Sequence, residues 1–69
     1  MDLTADSLLE LMEKWNEYLT GIYKQVCERY DLNEDEKREL KIYVFSSRNT
    51  AELYDNLLEF LILFRKILI

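Results

Sequence analysis

Histidine and proline are absent from this chain, and glycine and cysteine occur once each. Without histidine the commonest zinc ligand and the usual general base are both missing, so serine or cysteine triads lose their partner. The lone cysteine, Cys27, excludes an intrachain disulfide framework and fits a reducing compartment. With no proline and only Gly21 to interrupt it, the chain carries few breakers, and long helices meet little resistance. Scarce glycine and a single glutamine, beside many Leu, Ile, Tyr and Glu, also lean toward the composition of heat-stable proteins.

Positive charge is scarce as well. The formal net charge is −5. Residues 1–32 hold seven acids against three bases, 33–48 are balanced at four each, and 49–69 hold three acids against two bases. No segment is basic enough to neutralise phosphates, so direct nucleic-acid binding is disfavoured. The first residues carry acids where a secretion signal would carry Lys or Arg, and a cytoplasmic, soluble protein without membrane attachment is expected.

What is there is oil on a helical period. The run Leu57–Ile69 is apolar at ten of its thirteen positions. At about 100° per residue, Leu53, Tyr54, Leu57, Phe60, Leu61, Phe64, Ile67 and Leu68 share one face. Ala51, Leu58, Ile62 and Ile69 widen that face beyond one amphipathic stripe. Glu59, Arg65 and Lys66 interrupt the run, which is too short to span a bilayer.

Earlier in the chain, Leu8, Met12, Trp15, Leu19, Ile22 and Val26 recur at spacings of four and three, a heptad-like seam. Ser7-Leu8-Leu9-Glu10 reads as a capping box, with Thr4 and Asp6 as rival caps. Gly21 inside the seam costs about 1 kcal/mol against alanine, which a close crossing or slight bend would explain. Asp31-Leu32-Asn33 ends the first helix, and Asn33-Glu34-Asp35-Glu36 opens a second, acids first and bases later. Lys41-Ile42-Tyr43-Val44-Phe45 has strand-like composition. A lone strand would lack a pairing partner, so helix is favoured. Leu40, Tyr43, Val44 and Ser47 then share one face while Ile42 and Phe45 point elsewhere. Asn49-Thr50-Ala51-Glu52 starts a third helix.

The expectation is an all-α single domain spanning 1–69, with helices at 6–30, 34–47 and 50–69. They form an up-down-up bundle with a long first helix that dimerises into a larger helical bundle through the third helix and the first-helix seam. With disulfides and histidine–zinc staples excluded, a chain this small is left with close helix packing and oligomerisation.

Each candidate site competes with an ordinary structural role. Cys27, near Lys24 and Glu28, is read as a buried inert thiol, and no catalytic residue, cofactor or metal is expected. Asp31, Asn33 and Asp35 match the opening of a calcium loop, but Glu36 stands where glycine is needed and Ile42 where glutamate is needed. Helix stop and N-cap explain the same residues. Asp6, Glu10, Glu13 and Glu17 form an acidic ridge opposite the seam, with Glu10–Lys14 as a spaced ion pair. That ridge is either a solvated face or a row steering a basic partner. The apolar surplus leads: Ile42, Phe45, Leu58, Ile62 and Ile69 exceed what one three-helix core needs and are assigned to protein binding. Arg65 among them is placed to pair with Glu52, Asp55 or Glu59 of another chain.

Tyr30-Asp31-Leu32 followed by acids, then Arg48, Ala51-Glu52-Leu53 and Asn56, resembles the small Hha-type nucleoid modulators. The resemblance covers less than half of the chain, needs a gap and rests on residues that capping already explains. It would imply a short helical protein that binds a DNA-binding partner rather than DNA. The functional expectation is a small non-enzymatic protein-binding or regulatory module, of the kind a virus or plasmid uses as modulator or inhibitor. The alternatives are a helix-turn-helix DNA-binding regulator, or a small subunit or assembly factor of a larger complex.

Overall fold

The computed structural model describes residues 5–67, and within them the chain is three helices with no strand. The first, α1, runs Ala5–Tyr30 without interruption. It already includes Asp6 and Ser7, so neither of these caps it, contrary to the capping-box expectation; Thr4 lies outside the described residues. Gly21 is ordinary helix. A Cβ built there meets nothing within 4 Å, so no close crossing requires glycine. Asp31 takes the left-handed conformation (φ 49) and the Leu32 N–H donates to the Cys27 carbonyl at 3.3 Å. This stop satisfies an orphan carbonyl and turns Leu32 into the core.

The second helix, α2, spans Glu34–Phe45, with Ser46 as C-cap. Asn33 Oδ1 accepts the Glu36 N–H at 2.8 Å and Glu36 Oε1 accepts the Asn33 N–H at 3.0 Å, a reciprocal box that satisfies two free donors. Glu34, Asp35 and Glu36 in its first turn suit the helix dipole. With nucleation secured there, Lys41–Phe45 continues as helix despite its β-branched composition. The expected end at 47 is two residues late, since Ser46 and Ser47 both donate their hydroxyls to the Tyr43 carbonyl.

The third helix, α3, covers Thr50–Leu63, opened by Asn49, whose Oδ1 accepts the Glu52 N–H at 2.9 Å. It does not run to 69 as the apolar run suggests. Arg65 adopts φ 56, its N–H donates to the Ile62 carbonyl, and the Lys66 N–H reaches the Leu61 carbonyl at 2.7 Å. These two bonds make a Schellman stop with arginine where glycine is usual. Lys66 then turns back to α2, with its Nζ 2.7 Å from Glu36 Oε2. One carboxylate thus caps α2 and anchors the segment after α3.

The core is small and draws on every helix. Leu19, Leu32, Leu40, Val44, Leu53 and Phe60 are buried, with Trp15, Ile22, Val26, Leu57 and Phe64 packed around them. The Phe60 ring meets Tyr43 edge-on at 5.7 Å and Phe64 at 4.7 Å. One polar side chain lies inside, Ser47, which accepts from Asn56 Nδ2 at 2.9 Å. Asn56 also donates to the Tyr43 carbonyl at 3.1 Å, so a closed polar link ties α2 to α3. Among the described residues no buried side-chain polar atom lacks a partner. The backbone of α2 lies next to both α1 and α3, whereas the Cα traces of α1 and α3 nowhere approach within 8 Å.

Length makes the molecule elongated. At 1.5 Å per residue, the 26 residues of α1 reach about 39 Å, against about 18 Å for the 12 of α2 and about 21 Å for the 14 of α3. The chain measures 45 × 22 × 16 Å, with a radius of gyration of 14.0 Å. A compact chain of this length would have about 11 Å. The excess is an α1 that overshoots its neighbours.

Candidate interaction surfaces

Among the described residues no pocket opens, no group of three acids or cysteines is placed to hold a metal ion, and no helix is long and apolar enough to cross a membrane. Of the calcium-like residues, Asn33 caps α2 and Asp35 Oδ1 lies 2.6 Å from Arg38 Nη2. Cys27 is half-buried, with its thiol beside Tyr23. Burial first, then that thiol and the nearby Glu34, push the Tyr23 hydroxyl above its ordinary value. Lys41 Nζ sits 5.6 Å from the centre of the Tyr23 ring.

Four of the side chains assigned to protein binding stand outside the core. Ile42 is 64% exposed, Phe45 44%, Leu58 46% and Ile62 41%. The helical period explains why. Ile42 and Phe45 sit 140° to 200° around α2 from buried Leu40, and Leu58 and Ile62 sit 140° to 180° around α3 from buried Leu53, taking about 100° per residue. They therefore form two outer faces on two helices rather than one patch. Arg65 is exposed at the stop after α3, and among the described residues no ion pair joins it to Asp55 or Glu59. Glu52 faces its own cap, Asn49. Ile69 lies outside the described residues.

The acidic ridge of Asp6, Glu10, Glu13 and Glu17 is fully on the surface of α1. The Glu10–Lys14 pair that its spacing suggests is not formed, and both residues stay in solvent. Glu36 of α2 sits in a tighter electrostatic setting. Its side chain is 13% exposed. The Lys66 ammonium, then the Asn33 N–H, hold it below the usual glutamate range.

A further apolar surface lies on the first-helix seam, which the spacing gives both to the core and to dimerisation. Leu8, Leu9, Leu11 and Met12 are 48% to 61% exposed on the first turns of α1. They continue the seam whose later members, Leu19, Ile22 and Val26, are buried or half-buried. A length comparison could have found them, because a seam from 8 to 26 outlasts any neighbour that the other helices provide. Tyr18 closes this surface. Its ring lies 5.5 Å from Trp15, and burial first, then the neighbouring Tyr54 of α3, raise its hydroxyl above the ordinary value.

The molecule exposes 5573 Å², whereas a compact monomer of its mass exposes about 4,600 Å². The surplus of about 1,000 Å² goes with the elongated shape. Comparison with known protein families, with curated proteins and with solved structures finds no match to this chain.

Proposed function

We propose that this protein is a small non-enzymatic binding module, an up-down-up three-helix bundle that forms a homodimer and docks a protein partner on the outer apolar faces of α2 and α3. It is a cytoplasmic regulator of the modulator or inhibitor type that viruses and plasmids encode. One observation carries the reading. Ile42, Phe45, Leu58 and Ile62 stand in solvent around a core whose buried members and one buried polar link are complete without them. Monomeric proteins seldom leave so many large apolar side chains uncovered in a chain this short. The outward face of α3 adds Asp55 and Glu59, which repel phosphates and favour a protein over DNA.

Affinity capture from the native host tests it, comparing wild type with Ile42→Glu and Ile62→Glu. Both changes fall on exposed positions, so helicity and unfolding temperature stay near wild type. A protein retained by wild type and lost by either variant supports the reading. Equal capture by all three, or no specific capture, removes it.

A further inference from the structure

We propose that the overhanging first half of α1 is the self-association site, where two copies pair antiparallel, seam against seam, leaving Ile42 and Phe45 free for a different protein. This deepens the homodimer of the preceding section and names the surface that makes it.

Three observations select a second copy. The face is free of charge: Leu8, Met12 and Trp15 lie along its centre, with Leu9, Leu11 and Tyr18 beside it. Glu10, Glu13 and Glu17 lie on the opposite side of the helix, exposed. A copy of itself can therefore approach without setting like charges against each other. The spacing is the heptad alternation that a helix of the same kind fills, and that seam already serves as a packing surface further along, at Leu19, Ile22 and Val26. The area also fits. The exposed parts of these side chains amount to on the order of 600 Å² per copy, and a pair would bury about 1,200 Å², the lower bound of specific interfaces.

The direction follows from sterics. On α1 the core of this protein occupies the seam face from Leu19 onward. Two parallel seams in contact would drive both cores into the same space. Reversing one copy sends the cores to opposite ends and overlaps only the overhangs, about 15 Å for ten residues. Leu8 of one copy then lies across from Met12 of the other. The tip of each α1 reaches toward Trp15 and Tyr18 of its neighbour.

Sedimentation equilibrium of the full chain between about 1 and 100 µM, which brackets dissociation constants of that order, gives the test. Wild type is expected to dimerise in this range. Met12→Glu and Leu8→Glu, whose side chains are exposed in the subunit, are expected to keep their helical circular dichroism and weaken the dimer at least ~30-fold, the loss expected of a central apolar contact. Ile42→Glu is expected to remain dimeric. On a Cys27→Ser background, mixing Leu8→Cys with Met12→Cys should yield the mixed disulfide, and Leu8→Cys alone should yield little. A monomeric wild type at the highest concentration overturns the proposal. So does a dimer that ignores both α1 charges, or one that Ile42→Glu or Ile62→Glu dissolves instead, or efficient Leu8-to-Leu8 position cross-linking. Loss of a foreign partner by Ile42→Glu while the dimer survives separates this site from the partner-binding faces. A monomer that still captures that partner overturns this site alone.

Discussion

The two halves of α1 carry one seam and meet two fates. Between Leu19 and Tyr30 the seam packs into the shared core, and Leu19 is 1% exposed. Between Ala5 and Lys14 the same spacing repeats, and Met12 is 61% exposed. The residue types barely differ. What differs is the length of the neighbours, for α2 and α3 run out before α1 does. Hydrophobic periodicity therefore identifies a surface that wants covering, and the inventory of other helices decides whether the same chain can cover it.

The strongest way to break this contrast is to cut equal side chains from both halves. Leu19→Ala should cost about 2–5 kcal/mol, because a filled core position becomes a cavity. Total stability for a chain of this size is about 4–10 kcal/mol, so this variant should lie near the edge of folding. Phe60→Ala, which also strips the stacking with Tyr43 and Phe64, should do at least as much damage. Urea unfolding followed by circular dichroism checks both. A small loss at Leu19 would mean that the covered half is no better packed than the bare one.

The helix ends come next in size. Asn33→Ala removes the acceptor for the Glu36 N–H and should cost about 1 kcal/mol. The neighbouring ion pair adds a pH dependence whose sign is fixed. Glu36 titrates lower in the folded chain than in the unfolded one, held down by Lys66 and the Asn33 N–H. The resulting stabilisation is fully present above the unfolded value near 4.5 and is lost as pH falls through the folded value. Lys66→Met should therefore flatten the acid limb of the stability profile below pH about 4.5. Thermal melts from pH 6 down to pH 3, wild type beside variant, show this. Parallel acid limbs would detach Lys66 from Glu36.

How much of this was legible beforehand varies with the kind of signal. Asn33 and Asn49 announce their helices because a cap is local chemistry: an amide oxygen, a free N–H three residues on, and acids to follow. Ile42 and Phe45 were placed off the core face by angle alone, and they are exposed. The stop after α3 was hidden. Arginine at a left-handed position gives no glycine-like warning, and the return of Lys66 to Glu36 is a tertiary pairing across thirty residues that no local pattern encodes. The start of α1 misled for the opposite reason. Ser7 and Glu10 have the spacing of a capping box, yet the helix is already under way at Ala5. For Leu8 and Met12 the period gives an apolar seam shared between core and dimer, but not where along α1 one role ends and the other begins, because periodicity says which face is apolar and nothing about what reaches it.

Gly21 offers a finer probe of the covered half, as its Cβ position is open and its backbone is regular helix. Gly21→Ala should raise stability by about 0.8–1 kcal/mol, since it narrows the unfolded ensemble and adds no clash. For a domain of this size that is roughly 4–8 °C in melting temperature. An unchanged or lower value would show that α1 bends or opens at this point in solution.

The smallest expected effect is also the most discriminating. Leu8→Ala and Met12→Ala should each change subunit stability by less than about 0.5 kcal/mol, because both side chains are exposed and alanine is the better helix former. The measurement belongs at submicromolar concentration, where subunits are apart, and the matching melt at high concentration belongs beside it. Chemically similar leucines at 8 and 19 would then differ several-fold in cost within one helix. If Leu8→Ala proves as damaging as Leu19→Ala at high dilution, the first turns of α1 fold back onto their own chain in solution, and the seam has one fate after all. If the cost of Leu8→Ala grows only as concentration rises, the missing cover comes from outside the subunit, as the antiparallel pairing of two α1 overhangs predicts.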